Sequence, residues 1–306
     1  MLEQGHKLSG TGNIPMGLGG AAISGEGGGY GFGALSEKEA ESLLSFAWES
    51  GIRLYDTAPI YGFGVSEERM GKFLPQEAFI VTKGGVHWHE SKRVNMTNEP
   101  KVIEEMLLAS LKRLKRDMID LYMIHWPDPQ VDIRKPLEVL NRFQEQKKIK
   151  HIGLCNTNAS DFEKSKEVCE VVALQSEFNL FADQNFSELP NLFTMGWGTL
   201  DKGILSGRVN AERKFDKDDC RSWAPWWNRK EVLAKVQKVQ SFEPNLKKHQ
   251  VSMKHFALQF ALNEGVSMPL IGAKSQSDLK EVLAFITTPL PSQVMDELKS
   301  EWKKLS

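Results

Sequence analysis

The sequence predicts a (β/α)8 barrel, or TIM barrel, formed by one domain over residues 1–306. Short apolar runs alternate with amphipathic stretches along the whole chain, which favours a parallel sheet covered by helices. Eight such runs occur, and no Gly/Ser-rich linker separates them, so a closed barrel is favoured over two open sheets. With 306 residues, 41% of them apolar, the chain can bury a core of that size.

The elements are predicted from these two kinds of segment in chain order. The predicted strands are Ile14–Leu18, Ile52–Tyr55, Phe79–Thr82, Ile119–Ile124, His151–Leu154, Val171–Leu174, Asn191–Trp197 and Val266–Ile271. The predicted helices are Glu37–Glu49, Ser66–Phe73, Glu99–Lys115, Arg134–Gln146, Asp161–Glu170, Arg229–Lys248, Ser252–Asn263 and Ser277–Ala284. Ser36 followed by Glu39 predicts a capping box at the first helix, and Gly51 ends that helix.

Two segments interrupt the regular alternation. Ser24–Gly33 contains too many glycines for a helix and is predicted to be a loop. Gly203–Trp227 is a long connection that carries Trp223, Trp226 and Trp227. It is either a lid over the catalytic face or an ordered loop whose tryptophans pack on the barrel.

Composition narrows the class of protein. The net charge is −1 and the charges are mixed along the chain, so neither nucleic acid nor a membrane surface is an expected partner. Three scattered cysteines are too few for a disulfide framework or a zinc ribbon. No signal peptide and no run of about 18 apolar residues is found, so we expect a cytoplasmic protein.

Four side chains suited to proton transfer follow predicted strands. Asp56, Lys83 and His125 each lie just beyond an apolar run, and Tyr61 lies in the loop after Asp56. In a (β/α)8 barrel, catalytic residues lie at these C-terminal strand ends. The sequence therefore predicts that the four side chains meet at one site.

These residue types fit the reduction of a carbonyl group, which requires a hydride at carbon and a proton at oxygen. A tyrosine with a pKa of ~10 is a poor acid at neutral pH, but a nearby ammonium lowers that pKa. A buried lysine such as Lys83 needs a counter-ion, and Asp56 supplies one. His125 donates a hydrogen bond to the same substrate oxygen, or accepts the proton at low pH.

Four motifs in consistent order resemble the aldo-keto reductase family. They are Gly51–Glu67, which contains Asp56 and Tyr61; Ile80–Gly85, with Thr-Lys-Gly-Gly; Ile119–Pro129, with His-Trp-Pro-Asp-Pro; and Lys150–Asn156. The second and third motifs resemble bacterial members most. The resemblance extends over nearly the whole chain.

The resemblance implies a monomeric or weakly associated barrel that transfers hydride between NADP(H) and a small carbonyl or alcohol substrate. It implies Tyr61 as general acid, Lys83 and Asp56 as the pair that tunes it, and His125 as the group that orients substrate. Trp88 and Trp126 are expected to line the substrate pocket, and Trp197 replaces a tyrosine that stacks on the nicotinamide. The implied cofactor contacts are Gly20, Ala21, Asp56, Asn156, Gln175, Trp197, Gly198, Leu200, Gly203, Gly272, Lys274 and Asp278.

Some positions depart from the family pattern. The interval from Gln175 to Trp197 is short, so the sixth helix is expected to be lost or reduced. Lys274 suits the 2′-phosphate of NADP(H), whereas the carboxylate of Asp278 suits a free 2′-hydroxyl. We favour NADP(H), and NAD(H) stays open. Cys155 replaces a serine.

Other readings compete with this one. Gly29–Ala34 fits the G-x-G-x-x-A fingerprint of a Rossmann dehydrogenase, but Ser24–Gly28 cannot supply the strand that must precede it. His87 and His89 form a His-x-His pair typical of metal hydrolases, but no carboxylate cluster accompanies it, so a polar loop without metal is expected. A nucleotide-binding regulatory barrel with little turnover, or an NAD(H)-dependent sugar or alcohol dehydrogenase of the same family, remains possible from sequence.

Overall fold

The computed structural model describes residues 8–25, 29–182 and 192–305. Its barrel strands are β1 (Gly17–Gly19), β2 (Leu54–Asp56), β3 (Phe79–Gly84), β6 (Ile119–Ile124), β7 (Ile149–Cys155), β8 (Val171–Glu177), β9 (Phe193–Trp197) and β10 (Met268–Ile271). Two more strands, β4 (Val86–Trp88) and β5 (Val94–Met96), form a separate antiparallel hairpin. The helices are α1 (Glu37–Glu49), α2 (Val65–Phe73), α3 (Pro100–Leu114), α4 (Arg134–Glu145), α5 (Ala159–Ser165), α6 (Arg229–Lys248), α7 (Met253–Asn263), α8 (Gln276–Ile286) and α9 (Ser292–Lys304).

The eight barrel strands close into one parallel sheet. β1 pairs with β10 on one side, where Gly17 lies opposite Leu270, and with β2 on the other, where Gly19 lies opposite Asp56. The remaining strands follow in chain order, from β2 to β3 and then from β6 through to β10. The predicted (β/α)8 barrel is therefore confirmed, and each of the eight apolar runs contributes a strand.

Side chains along each strand alternate between the barrel interior and the helix layer. In β3, Val81 belongs to the interior cluster, whereas Ile80 packs in the layer between strands and helices. The same alternation places Leu121 and Met123 of β6 inside and Tyr122 outside. Because side chains of a strand have period two, the residue two positions beyond an interior residue also points inward. This rule fixes which polar residues reach the site.

Most of the helices agree closely with those predicted. The capping box of α1 is confirmed, because Ser36 Oγ accepts from the backbone of Glu39 and the Glu39 side chain accepts from the backbone of Ser36. The predicted helix Asp161–Glu170 is shorter than expected, since α5 ends at Ser165. Analysis of the sequence missed α9, whose buried face packs on α6 and α7 with Trp302 donating to the carbonyl of Leu180 at 2.9 Å.

The segments without regular structure lie around the catalytic end. Ser24, Gly25 and residues 29–33 form a loop as predicted, and residues 26–28 lie outside the described chain. Between β8 and β9, residues 178–182 contain no helix. Residues 183–191, with the predicted strand start at Asn191, lie outside the described residues, so the loss or reduction of the sixth helix stays a prediction.

The connection from β9 to α6 is ordered and attached to the loop after β1. It contains two short 3-10 helices, Asp201–Ser206 and Cys220–Ser222. The backbone N–H of Cys220 donates to the carbonyl of Gly31 at 3.0 Å, and the Trp223 ring packs on Tyr30 with centroids 5.5 Å apart. Trp223 thus packs on the loop after β1, whereas Trp226 and Trp227 pack within the connection itself. Movement of the segment as a lid stays a prediction.

Candidate active site

The period-two rule brings five polar or aromatic side chains to the catalytic mouth. Each lies two positions beyond an apolar residue of the barrel interior. They are Asp56 after Leu54, Lys83 after Val81, His125 after Met123, Gln175 after Ala173 and Trp197 after Met195. Their strands are neighbours or near neighbours in the barrel, so the side chains converge at its C-terminal end.

Lys83 and Asp56 form a buried ion pair beneath this mouth. The Nζ atom of Lys83 lies 2.7 and 2.9 Å from the two carboxylate oxygens of Asp56 and 2.9 Å from the carbonyl oxygen of Thr57. Gln175 Nε2 donates to the same carboxylate at 2.8 Å. Burial depresses the pKa of Lys83, but the charge and hydrogen bond of Asp56, together with Tyr61 and Cys155, outweigh burial, so the pKa of Lys83 lies above its usual value.

Tyr61 lies next to this pair, in the loop after β2. Its backbone N–H donates to Ala58 at 3.1 Å, and its carbonyl accepts from Ser66 at 3.3 Å, so two turns hold the residue in place. The Nζ atom of Lys83 is 5.5 Å from the centroid of the Tyr61 ring. The tetrad predicted from sequence is thus brought together.

The pKa of Tyr61 lies above its usual value, whereas the sequence led us to expect that the nearby ammonium would lower it. Burial raises the pKa of Tyr61 to about 12, and the positive charge of Lys83 opposes this rise without cancelling it. The phenol therefore stays protonated at neutral pH. A protonated phenol at this position is chemically suited to deliver a proton.

His125 faces Tyr61 across the mouth. The two rings are perpendicular with centroids 6.1 Å apart, and the backbone N–H of His125 donates to the carbonyl of Gly84 at 2.8 Å. Burial, and then the charge of Lys83, hold the pKa of His125 well below its usual range. Nδ1 of His125 has no hydrogen-bond partner among the described residues, so no acceptor among them stabilises a proton on that atom. The imidazole is neutral and suited to orient a substrate oxygen.

A cavity of about 950 Å³ opens at this end of the barrel. All twelve residues expected to contact cofactor line it, together with Tyr61, His125 and Trp126. Lys83 does not line it, since the side chain is fully buried beneath Asp56 and Tyr61, which do.

Trp88 also lies outside the lining of the cavity. Its indole packs on Phe63, with ring centroids 5.5 Å apart, and lies near the Arg113 guanidinium. A substrate contact through Trp88 is therefore without support from the geometry and stays a prediction.

The two amide side chains at the mouth are hydrogen-bonded to the protein. Asn156 Nδ2 donates to the carbonyl of His125 at 3.0 Å and to Cys155 Sγ at 3.1 Å, and Asn156 Oδ1 accepts from Trp197 Nε1 at 2.9 Å. Besides Asp56, the Nε2 atom of Gln175 meets only methionine sulfurs at 3.9 Å. Each amide nitrogen thus has one strong acceptor and otherwise sulfur, which accepts weakly. A ligand amide can replace sulfur at both positions.

The far end of the cavity is rich in cationic side chains. Lys274 Nζ donates to the carbonyl of Phe32 at 2.9 Å, and burial lowers the pKa of Lys274. Asp278, the unexpected carboxylate, forms an ion pair with Arg208. The carboxylate of Asp278 is therefore not unpaired in the cavity.

Several lining residues were missed by reasoning from the sequence. Cys155 satisfies the period-two rule and could have been found by it, since its thiol points into the interior cluster. Burial raises the pKa of Cys155 to about 12, so the thiol is protonated and unreactive. Others had no local signal, because they lie on the hairpin or on the long β9–α6 connection: Val94, Met96, Arg208, Arg213 and Arg221. Trp226, which was singled out from the sequence with that connection, also lines the cavity.

The His-x-His segment is a strand and not the polar loop expected. His87 and His89 lie on or next to β4, with ring centroids 5.5 Å apart. Within the described ranges, no group of three or more His, Cys, Asp or Glu side chains is placed to hold a metal ion. No helix in the same ranges is long and apolar enough to cross a membrane.

Comparison with known proteins gives consistent matches over the chain. A sequence model of the aldo/keto reductase family matches residues 15–303. Aldo-keto reductase YhdN of Bacillus subtilis is 33% identical over 287 residues, which cover 89% of this chain and 84% of that protein. The structure of a glycerol dehydrogenase from Gluconobacter oxydans aligns with a TM-score of 0.81 at 28% identity, covering 97% of this chain and 95% of that one.

Two further relatives differ from each other in the cofactor that their names give. Aldo-keto reductase yakc [NADP(+)] of Schizosaccharomyces pombe is 27% identical over 88% of this chain and 84% of that protein. The NADH-specific methylglyoxal reductase of Escherichia coli is 29% identical over 90% of this chain and 86% of that protein.

Proposed function

This chain belongs to the aldo/keto reductase family, whose members use a nicotinamide cofactor to reduce carbonyl groups, and we propose that it does so with NADP(H) and with Tyr61 as proton donor. The observation that carries the proposal is the buried Lys83–Asp56 pair, with the ammonium 5.5 Å from the Tyr61 ring centroid. We further propose that residues 1–306 act as one catalytic unit.

The residues of the tetrad divide the work of handling one oxygen atom. Tyr61 donates its proton to the substrate oxygen as negative charge develops there, and Lys83 stabilises the phenolate that remains. Asp56 holds the Lys83 ammonium in position and balances its charge inside the barrel. Neutral His125 orients the same oxygen by a hydrogen bond. In the reverse direction, Tyr61 accepts the proton of an alcohol.

The lining of the cavity fits a nicotinamide dinucleotide. Such a cofactor supplies the hydride when bound. Asn156 and Gln175, each with an amide N–H that meets only sulfur, suit a carboxamide, and the Trp197 indole offers a stacking face. Cationic side chains at the other end suit phosphates.

The balance of charge at the far end favours NADP(H) over NAD(H). Lys274 and Arg208 line the cavity there, and the carboxylate of Asp278 is paired with Arg208. A 2′-phosphate would find cationic partners, whereas a free 2′-hydroxyl would leave them unused. The relatives alone do not decide, since one is named for NADP(+) and another as NADH-specific.

The function is tested by cofactor consumption with a panel of aldehydes and ketones. We expect steady-state oxidation of NADPH by several carbonyl compounds, and slower oxidation of NADH. Tight binding of NADPH without turnover on any carbonyl would instead indicate a nucleotide-binding regulatory barrel. Faster turnover with NADH would retain the reductase and reject the cofactor assignment.

Other expectations from the sequence remain predictions. These are a cytoplasmic location, a monomeric or weakly associated state, and the absence of nucleic-acid partners. Fractionation of cells tests the location, and light scattering of the purified protein tests the state of association.

A further inference from the structure

The cationic side chains of the cavity come from one part of the chain. All lysines and arginines that line the cavity within the described ranges follow β9 in the chain. They are Lys202, Arg208, Arg213, Arg221, Lys254 and Lys274. Among the described residues that precede the end of β9, no lysine or arginine lines the cavity.

Contacts join most of the cationic residues into two groups. Arg221 Nη1 donates to the carbonyl of Lys202 at 2.8 Å, and its guanidinium lies 5.1 Å from the ring centroid of Phe32. Lys274 donates to the carbonyl of that same phenylalanine. Arg208 and Lys254 share the carboxylate of Glu281. Lys202 lies beside the catalytic mouth, with its Nζ atom 5.5 Å from the centroid of the Trp197 ring, but its charge is paired with Glu177 and Asp201. The other cationic residues suit the phosphates of a dinucleotide.

The surroundings of Tyr61 are apolar by contrast. Its ring packs on a small cluster formed by Ala58, Ile60 and Val86, and Val94 of β5 packs on the same cluster. The exposed cations at the hairpin turn, at positions 92 and 93, do not line the cavity.

The hairpin is fixed beside the catalytic strand β6. Asn98, just after the hairpin, donates from Nδ2 to the carbonyl of Trp126 at 3.0 Å. The backbone N–H of Thr97 donates to the carbonyl of Gly85 at 3.0 Å, which closes the base of the hairpin. Val94, Met96 and Trp126 therefore present a largely apolar wall beside the end of β6, interrupted by the amide of Asn95, which also lines the cavity.

The reacting centre itself offers no unbalanced positive charge. The Lys83 ammonium is paired with the Asp56 carboxylate, and His125 is neutral at physiological pH. A carboxylate or phosphate on the substrate would lose its hydration there without gaining a positively charged partner, which is costly in free energy. Apolar groups would gain free energy by burial against the wall.

We propose that the substrate is an uncharged aldehyde or ketone whose carbonyl carries an apolar chain or ring, and not an oxo acid, a phosphorylated sugar or a polyhydroxylated compound. This inference rests on the carbonyl reduction proposed above. It assigns discrimination between substrates to the hairpin wall of Val94 and Met96 and to Trp126.

Matched substrates test the proposal through kcat/KM with NADPH. From propanal to hexanal, we expect kcat/KM to rise roughly threefold to fourfold per methylene until the wall is covered. The compound 6-oxohexanoate has the chain length of hexanal but ends in a carboxylate, and we expect kcat/KM at least ~100-fold lower. Glyceraldehyde is expected to be poorer than butanal.

A variant with a cation in the wall tests the assignment of the residues. Met96 lines the cavity and is 52% exposed, so Met96→Lys is compatible with folding. We expect the ratio of kcat/KM for hexanal over 6-oxohexanoate to fall at least ~10-fold in this variant. Met118→Lys is the matched control, since Met118 is 40% exposed and lies outside the cavity lining, and its ratio is expected to stay unchanged.

The outcomes separate this inference from the proposed function. Equal or better turnover of 6-oxohexanoate or glyceraldehyde would overturn the inference and leave carbonyl reduction intact. An unchanged ratio in Met96→Lys would overturn the role of the hairpin wall. Absence of turnover with every carbonyl compound would reject the proposed function, and the inference with it.

Discussion

Lys83 and Asp56 lie on neighbouring strands, and the Lys83 ammonium contacts both carboxylate oxygens of Asp56, at 2.7 and 2.9 Å. In the register of β2 and β3, Asp56 lies opposite Val81, so Lys83 extends two residues beyond it on the same inward face. Both side chains are buried. Either charge alone would therefore be left without a partner in the barrel interior.

Lys83→Met is expected to destabilise the protein. Removal of one partner from a buried ion pair leaves an uncompensated charge, which costs about 3–5 kcal/mol of the free energy of unfolding. Urea denaturation measures this, and the double variant Asp56→Asn/Lys83→Met should recover part of the loss. Lys72→Met, which removes an exposed pair with Glu37, is the control and should cause no measurable change. A loss for Lys83→Met as small as that of the control would contradict the account.

The two directions of the reaction should respond differently to pH. Because burial raises the pKa of Tyr61 to about 12, the phenol stays protonated well above neutral pH. Carbonyl reduction uses the protonated form, so titration of Tyr61 should leave kcat/KM for reduction unchanged from about pH 7 to 10. Alcohol oxidation uses the phenolate, so its kcat/KM should rise about tenfold per pH unit over the same range.

The same profile tests the role of Lys83. Its positive charge opposes the effect of burial on Tyr61, so Lys83→Met should raise the pKa of Tyr61 further. Alcohol oxidation by the variant should then move to more alkaline pH. Superimposable profiles for the two enzymes, or a plateau of wild-type oxidation below about pH 9, would argue against this coupling.

Lys274→Met should weaken binding of NADPH selectively. A charge-assisted hydrogen bond to the 2′-phosphate is worth about 1.5–3 kcal/mol, or roughly 10-fold to 150-fold in Kd, whereas Kd for NADH should not change. Quenching of tryptophan fluorescence gives both constants and also tests stacking on Trp197. Lys280→Met, an exposed change on the following helix α8, is the control. Equal losses for NADPH and NADH would exclude a 2′-phosphate contact.

Asp278→Asn should strengthen binding of NADPH. The change removes the only lining carboxylate on α8 within the described chain and releases Arg208 from its ion pair. We expect Kd for NADPH to fall roughly fivefold, with no change for NADH. Isothermal titration at low and high salt measures the effect, which should shrink as salt rises. Tighter binding of NADH alone would reverse our interpretation of this position.

Much of the barrel and of its catalytic end was predictable from the sequence, since period-two alternation and strand ends are local properties. Asp56, Lys83 and His125 follow directly from them. The net pKa of Tyr61 was not predictable, because it depends on how much burial outweighs the Lys83 charge.

Contacts between distant segments were equally out of reach. The pairing of Arg208 with Asp278 joins residues that are far apart in the chain, and no local pattern indicates it. The β4–β5 hairpin was overlooked because each strand is only three residues long. Its apolar residues became relevant only when the fold placed them beside Tyr61.

Tyr61→Phe tests the central claim most directly. Loss of the general acid should reduce kcat for carbonyl reduction by ~10²–10⁴-fold, because proton delivery contributes that much. The phenyl ring keeps the packing on Ile60 and Val86, so Kd for NADPH and the free energy of unfolding should stay at wild-type values. A Tyr61→Phe enzyme that binds NADPH normally and retains the wild-type kcat would contradict the account.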